Sequence, residues 1–165
     1  TKCAYPNGSD TALYTYSCNQ PGDTIEVTFI KVLDLAGNEV YPIDPTKPFI
    51  LDLKAFNKGP SYTDNKVDVR IWELQTSWTT GQCVYNEIPT FGLLNNIDGC
   101  DFANNCPLTS GDLDLDIQLD LSQFASIISL LSSDTPIQLQ IIMKDYNEGS
   151  AHEEICCVVA QMRID

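Results

Sequence analysis

Between residues 112 and 120 the chain reads DLDLDIQLD. Leu113, Leu115, Ile117 and Leu119 alternate there with Asp112, Asp114, Asp116, Gln118 and Asp120. Successive side chains of a strand point to opposite faces, so as a strand this segment has one apolar and one acidic face; as a helix it would scatter aspartates all round. The same rhythm recurs along the chain. Ile25, Val27 and Phe29 alternate with Glu26 and Thr28; Phe49, Leu51 and Leu53 with Asp52 and Lys54; Val67, Val69 and Ile71 with Asp68 and Arg70. Ile137, Leu139 and Ile141 follow, then Val158, Ala160, Met162 and Ile164 against Val159, Gln161 and Arg163. Pro42, Pro45 and Pro48, Lys58-Gly59-Pro60, Thr80-Gly81 and Asn147-Glu148-Gly149 punctuate the runs as turns. One-sided strands joined by short turns predict an all-β antiparallel sandwich or barrel. At 165 residues, with no internal repeat and no long linker, residues 1–165 form one expected domain.

One segment departs from period two. Residues 121–131, LSQFASIISLL, place Phe124, Ile127, Ile128 and Leu131 at helical spacing with Ser122 near the start. A short helix is expected, either plugging an end of the sandwich or lying as an apolar flap over a cavity mouth.

Seven cysteines with no CxxC spacing, and His152 as the one histidine, exclude the usual zinc patterns. Disulfides are expected instead, and with them an oxidising compartment, secreted or lysosomal. Asn7-Gly8-Ser9 is a glycosylation acceptor of a secretory route. A chain opening at Thr1 and reaching a cysteine at Cys3 reads as a mature product whose signal peptide has been removed. Cys100 and Cys106 flank the short loop DFANN, which a disulfide closes. Cys156 shares the face of Val158, Ala160, Met162 and Ile164, so it is expected to look inward as a free thiol; Cys157 looks outward, where a terminal segment could cover it. This pairs Cys3 with Cys157 and, by elimination, Cys18 with Cys83.

The balance of 23 acidic and 9 basic residues, net charge −14, argues against nucleic acid, since nothing here replaces the counterions of a phosphate backbone. It also disfavours long-range attraction to an anionic membrane at neutral pH. Asp112, Asp114 and Asp116 suggest calcium only superficially: an EF-hand loop needs glycine at its sixth position, where Ile117 stands. His152, beside Glu153 and Glu154, reads as a surface histidine. No GxSxG elbow, Walker loop or GxGxxG occurs, and Cys156 has no base nearby in sequence, so no enzyme, cofactor or metal is expected.

The segment Cys100-Asp101-Phe102-Ala103-Asn104-Asn105-Cys106-Pro107-Leu108-Thr109-Ser110-Gly111, leading into an alternating strand, resembles the signature of the ML (lipid-recognition) family. There a disulfide-closed loop ends in Cys-Pro-apolar, and a terminal strand opened by a cysteine pairs with one near the amino terminus. Cys157-Val158-Val159-Ala160-Gln161-Met162-Arg163-Ile164 is similar to that strand, with Cys3 as the partner. The region 81–131 resembles the ganglioside-activator branch most closely, with the lysosomal sterol carriers as a second likeness. Cys18 and Cys156 have no obvious counterpart there, and the branch carries more bridges in mid-chain than this sequence can form.

The resemblance implies an immunoglobulin-like sandwich whose sheets splay into a lipid cavity. Ile25, Val27, Phe29, Leu51, Leu53, Val67, Val69, Ile71, Leu115, Ile117, Leu119, Leu139 and Ile141 are core in any sandwich; the resemblance makes them its lining. Trp78 and the stretch Ile88-Pro89-Thr90-Phe91-Gly92-Leu93-Leu94 are apolar residues in loops, which either fold back over the sandwich or, with Phe124, Ile127, Ile128 and Leu131, form a rim that dips into a bilayer. The expected function is a lipid-binding and lipid-transfer protein for a glycolipid, phospholipid, sterol or fatty acid. It would touch a membrane surface transiently and present its lipid to a hydrolase or receptor. The competing expectation is a filled sandwich that binds another protein through its acidic face or loops.

Overall fold

A computed structural model describes residues 2–18 and 20–165. The chain forms an all-β, antiparallel two-sheet sandwich. The larger sheet runs in the order β1 (Tyr14–Ser17), β9 (Glu154–Met162), β8 (Ile137–Asp145), β4 (Asn65–Thr76), β5 (Cys83–Glu87), with the two-residue β6 (Ile97–Asp98) pairing β4 farther along the same edge. The smaller sheet is β2 (Ile25–Leu33), β3 (Phe49–Asn57) and β7 (Gly111–Leu119). Each alternating run of the sequence becomes one of these strands because only pairing in sheets buries its apolar rows while leaving its polar rows wet.

The register aligns the inward rows. In the smaller sheet Val32 lies opposite Leu51 and Leu51 opposite Ile117, with Leu53 opposite Leu115. In the larger one Val69 lies opposite Ile141 and Ile141 opposite Val158, with Ile71, Leu139 and Ala160 in the next row. The interior packs as two clusters. One gathers Val32, Ile43, Phe49, Ile71, Leu94, Ile127, Ile137, Ala160, Met162 and Ile164 at one end. The other gathers Ile25, Ala55, Tyr62, Leu108, Leu113, Ile155, Cys156 and Val158 at the opposite end.

Two expectations are corrected. A β-bulge between Val27 and Phe29 resets the phase of β2, so Ile25 and Val27 point inward, then Ile30 and Val32 do. Phe29 is turned to solvent and 43% exposed rather than lining the interior. The disulfides are Cys3–Cys83, Cys18–Cys157 and Cys100–Cys106, leaving Cys156 free and buried. The expected partners of Cys3 and Cys18 are thus exchanged. Antiparallel pairing puts Ser17 opposite Val158, which brings Cys18 alongside Cys157, and the Cys18 N–H donates to the Cys157 carbonyl. Cys157 does look outward, and the preceding terminal segment does cross that face: the Asn7 amide donates to Gln161 at 2.7 Å. Cys3, nearer the terminus, is bridged to Cys83 on β5, at the other edge of the sheet.

The helical spacing of 121–131 yields a 3-10 turn, Ser122–Phe124, followed by the one-turn α2 (Ala125–Ile128). Ile127 is buried in the first cluster, with Phe124 and Leu131 packed against it. The segment therefore plugs an end of the sandwich, while Leu130 remains 47% exposed. A second short helix, α1 (Gly99–Ala103), sits inside the Cys100–Cys106 loop.

Candidate functional site

Residues expected to line a cavity fall into distinct environments. Ile71, Leu94 and Ile127 are buried in the first cluster, with Leu51, Val69, Leu119, Phe124, Leu131 and Leu139 packed against it. Ile25 belongs to the second cluster, with Val27, Leu53 and Leu115 packed against it. Val67, Ile117 and Ile141 stay half-buried, as does Ile128 at the end of α2 in the plug. Trp78, Phe91 and Leu93 are 95%, 85% and 53% exposed. By register Val67 lies in line with Met143 and Cys156 at the second cluster's end, and Ile117 in line with Leu51 and Val32 at the first's.

A groove of about 610 Å³ is lined by Ile97, Asp98, Asp101, Phe102, Gln118, Asp120, Ser122 and Gln123. It is an open groove at the margin of the sheets, not a closed chamber between them. One wall is β6 and α1 on the larger sheet; the other is the end of β7 and the turn after it. Ile97 lies opposite Val67 across the sheet, whereas Gln118 shares the exposed face of β7 and Ile117 points to the other face. The Phe102 ring meets Phe124 edge-on, centroids 5.4 Å apart, so the groove's aromatic residue is braced by the plug.

The local sequence sets this wall. Asp98 caps α1, its carboxylate accepting the Cys100 and Asp101 N–H groups, and Asn104 ends the helix in the left-handed conformation. Gly99 is required by close approach, since a Cβ there would collide with Asn65 Oδ1. Asn65 is fully buried and donates to Asn105 at 3.2 Å, tying β4 to the disulfide loop. On the opposite wall Asp120 accepts the Ser122 N–H at 3.0 Å. The Ser122 N–H and hydroxyl hold the Asp120 carboxyl below the usual carboxylate range. The groove thus presents three carboxylates, and no basic residue is among those that line it.

Sequence reasoning missed this groove because most of its residues are polar. The available signal was Phe102, the one aromatic residue inside the DFANN loop. Elsewhere, Asp64, Asp98 and Cys100 bring donor atoms within 4.8 Å of one another, but the Cys100 sulfur is committed to Cys106. Asp112, Asp114 and Asp116 lie on the exposed face of β7, opposite Phe56, Lys54 and Asp52. His152 stacks on Tyr146, ring centroids 3.8 Å apart. Asn7, the expected glycan acceptor, is exposed, with its amide engaged by Gln161.

No family model matches the chain. No curated protein sequence matches it. Among solved structures it is similar to the C-terminal domain of wzt, at 9% identity over 98% of this chain and 80% of that one, with a TM-score of 0.42. A likeness at that score adds nothing to the reading of the site.

Proposed function

We propose that this protein is a non-enzymatic carrier of a single lipid or lipid-like amphiphile, exported to an oxidising compartment. The observation that carries the reading is the open groove of about 610 Å³ at the margin of the sheets, where the apolar side chains of Ile97 and Phe102 stand among its polar lining. An aliphatic chain laid there would leave water at roughly 0.8 kcal/mol per methylene, so holding it needs apolar surface and an entrance rather than bond chemistry. The three disulfides support the compartment. No helix among the described residues is long and apolar enough to cross a membrane.

The exposed apolar residues support a transient membrane encounter. Trp78 lies on the turn before β5, Val84 and Tyr85 on β5, and Phe91 and Leu93 on the loop after it, all along the edge of the larger sheet that also holds β6. The competing reading, a filled protein-interaction module, is favoured by the dense packing of the two end clusters. One experiment separates them. Delipidated protein is incubated with phosphatidylcholine vesicles, re-isolated and extracted; the carrier reading expects roughly one lipid per chain, as for a site that buries most of its ligand. Recovery of none at both neutral and acid pH would leave the interaction module.

A further inference from the structure

A second site lies on the outer face of the larger sheet, where the amino-terminal segment crosses it; its assignment rests on the export reading and not on the groove. We infer that Asn7, in the one Asn-X-Ser/Thr triplet of the sequence, bears an N-linked glycan attached before the segment folds, and that the first sugar then docks on the ring of Tyr85. Attachment forms a C–N bond between the Asn7 amide nitrogen and C1 of a polyprenyl-pyrophosphate-linked oligosaccharide. The bond from C1 to the pyrophosphate oxygen breaks, the lipid pyrophosphate leaves with its electron pair, and the amide gives up one proton to a base of the transferase.

Burial decides the order of events. A transferase reads the hydroxyl two residues after the asparagine. In the folded chain the Ser9 hydroxyl is fully buried and donates to the Pro6 carbonyl at 2.6 Å. Pro6–Gly8 form a 3-10 turn with Asn7 at φ 56°, and the Ser9 carbonyl accepts the Tyr41 hydroxyl. The triplet is thus locked as a turn, and an enzyme that needs both side chains meets them together only in the unfolded chain. The Asn7 side chain itself stays exposed. Its amide donates to Gln161 Oε1 at 2.7 Å, and a glycosylated amide keeps one N–H with which to hold that bond. Gln161 in turn donates to Gln138 Oε1 at 2.9 Å and to the Tyr85 hydroxyl at 3.4 Å. Tyr85 is on β5 and Gln161 on β9, three strand intervals or roughly 14 Å away. Register puts both on one face: Tyr85 lies opposite Leu74, and Trp72, Gln138, Gln161 and Tyr14 form one cross-strand row. The Tyr85 ring therefore lies flat along the sheet over β4 and β8, exposed, with its hydroxyl end beside the Asn7 contact. Tyr14 and Tyr16 stand exposed at the far edge, ring centroids 5.9 Å apart. Rings among amides suit a sugar, which turns C–H faces to the rings and hydroxyls to the amides. Tyr14, Tyr16, Tyr85, Gln138 and Gln161 are all uncharged, which matches a neutral sugar on a chain of net charge −14.

The test expresses the full chain behind a secretion signal in cultured eukaryotic cells. Intact mass before and after peptide-N-glycosidase should show one glycan on the parent and none on Asn7→Gln; a parent secreted without a glycan overturns the acceptor assignment. Microsomal transferase with its lipid-linked donor should modify the unglycosylated chain, once reduced and alkylated, at least about tenfold faster than the folded, disulfide-bonded chain, whose triplet is reached only by local opening. Equal rates overturn the order of events. Docking is read by NMR after trimming the glycan to its first N-acetylglucosamine. The sugar's ring protons should lie upfield of their positions in a glycosylated peptide of residues 5–10, shifted by the tyrosine ring current. Tyr85→Leu should return them to the peptide values, and Trp78→Leu should not. Peptide-like shifts in the parent, or the same shifts in parent and Tyr85→Leu, overturn the docking. Asn7→Gln leaves the groove untouched, so lipid recovery from vesicles tests the carrier reading separately from all of these outcomes.

Discussion

At the scale of single residues, the carboxyl pair Asp23 and Glu154 couples the fold to pH. The pair lies where the chain enters β2, held by the Thr24 N–H donating to the Ile155 carbonyl at 2.9 Å. Asp23 Oδ1 and Glu154 Oε2 are buried, and among the described residues no donor from outside the pair reaches either. Burial, followed by the hydrogen bond to Asp23 and repulsion from its charge, pushes Glu154 up to about 7. Next to it, burial and then the same two carboxylates push the free thiol of Cys156 up to about 12, so it stays protonated and unreactive in the folded chain. An unfolded glutamate releases its proton near 4.5 while the folded one keeps it to about 7, so stability present below pH 4.5 is lost as pH rises through that window. Thermal midpoints should therefore fall across it, and Glu154→Gln should flatten that slope by a few degrees, on the order of 2–4 °C between its ends. A slope unchanged in the variant would mean that the pair does not govern it.

At the scale of elements, the strands were legible in the sequence because period two survives in β3, β4, β7, β8 and β9 almost unbroken. The inward face of β9, Cys156 included, was legible for the same reason. What was not legible depends on tertiary register. The bulge in β2 inserts one residue that no local pattern announces, which is why Phe29 departs from the alternation. The facing rule places Cys157 outward but does not say which cysteine of the crossing segment stops over it; the β1–β9 register decides that. A third case is Glu73, which continues the inward row of Val67, Val69 and Ile71 yet is 2% exposed. It accepts from Gln75 at 3.3 Å and from the Ser132 backbone, while burial raises its carboxyl above the ordinary range. It thereby ties β4 to the loop that links the plug to β8. Glu73→Ala should lower unfolding free energy by about 1–3 kcal/mol, because a buried side chain is removed and the Gln75 amide and Ser132 N–H lose their acceptor. Glu73→Gln keeps an acceptor without the buried charge and should stay within about 0.5 kcal/mol of the parent or above it. Denaturant titrations of the pair check this; equal losses in both would assign the effect to the charge rather than to the hydrogen bond.

At the scale of the whole molecule, two opposing surface properties meet. A net charge of −14 repels anionic bilayers, whereas the margin beyond β4 exposes Trp78 at 95% and Phe91 at 85% next to the groove's own edge of the sheet. Single exposed apolar residues are ordinary, but Trp78, Phe91 and Leu93 stand in the two loops that flank one edge strand, and such side chains are available to a partner. On the carrier reading that partner is the bilayer from which the ligand is drawn, and the apolar margin lets the groove approach it. Fully burying such a side chain is worth roughly 1.5–3 kcal/mol, so removing two of them should weaken vesicle association by at least about tenfold. Because both side chains are already in water, Trp78→Ser with Phe91→Ser should leave the thermal midpoint unchanged. Flotation with phosphatidylcholine vesicles should recover the parent chain and lose the variant. Vesicles enriched in phosphatidylserine should recover less of the parent at low salt, and salt should restore it. A variant that floats as well as the parent would place the membrane contact elsewhere. A parent that prefers phosphatidylserine would show that local charge, not the molecule's net charge, governs the encounter.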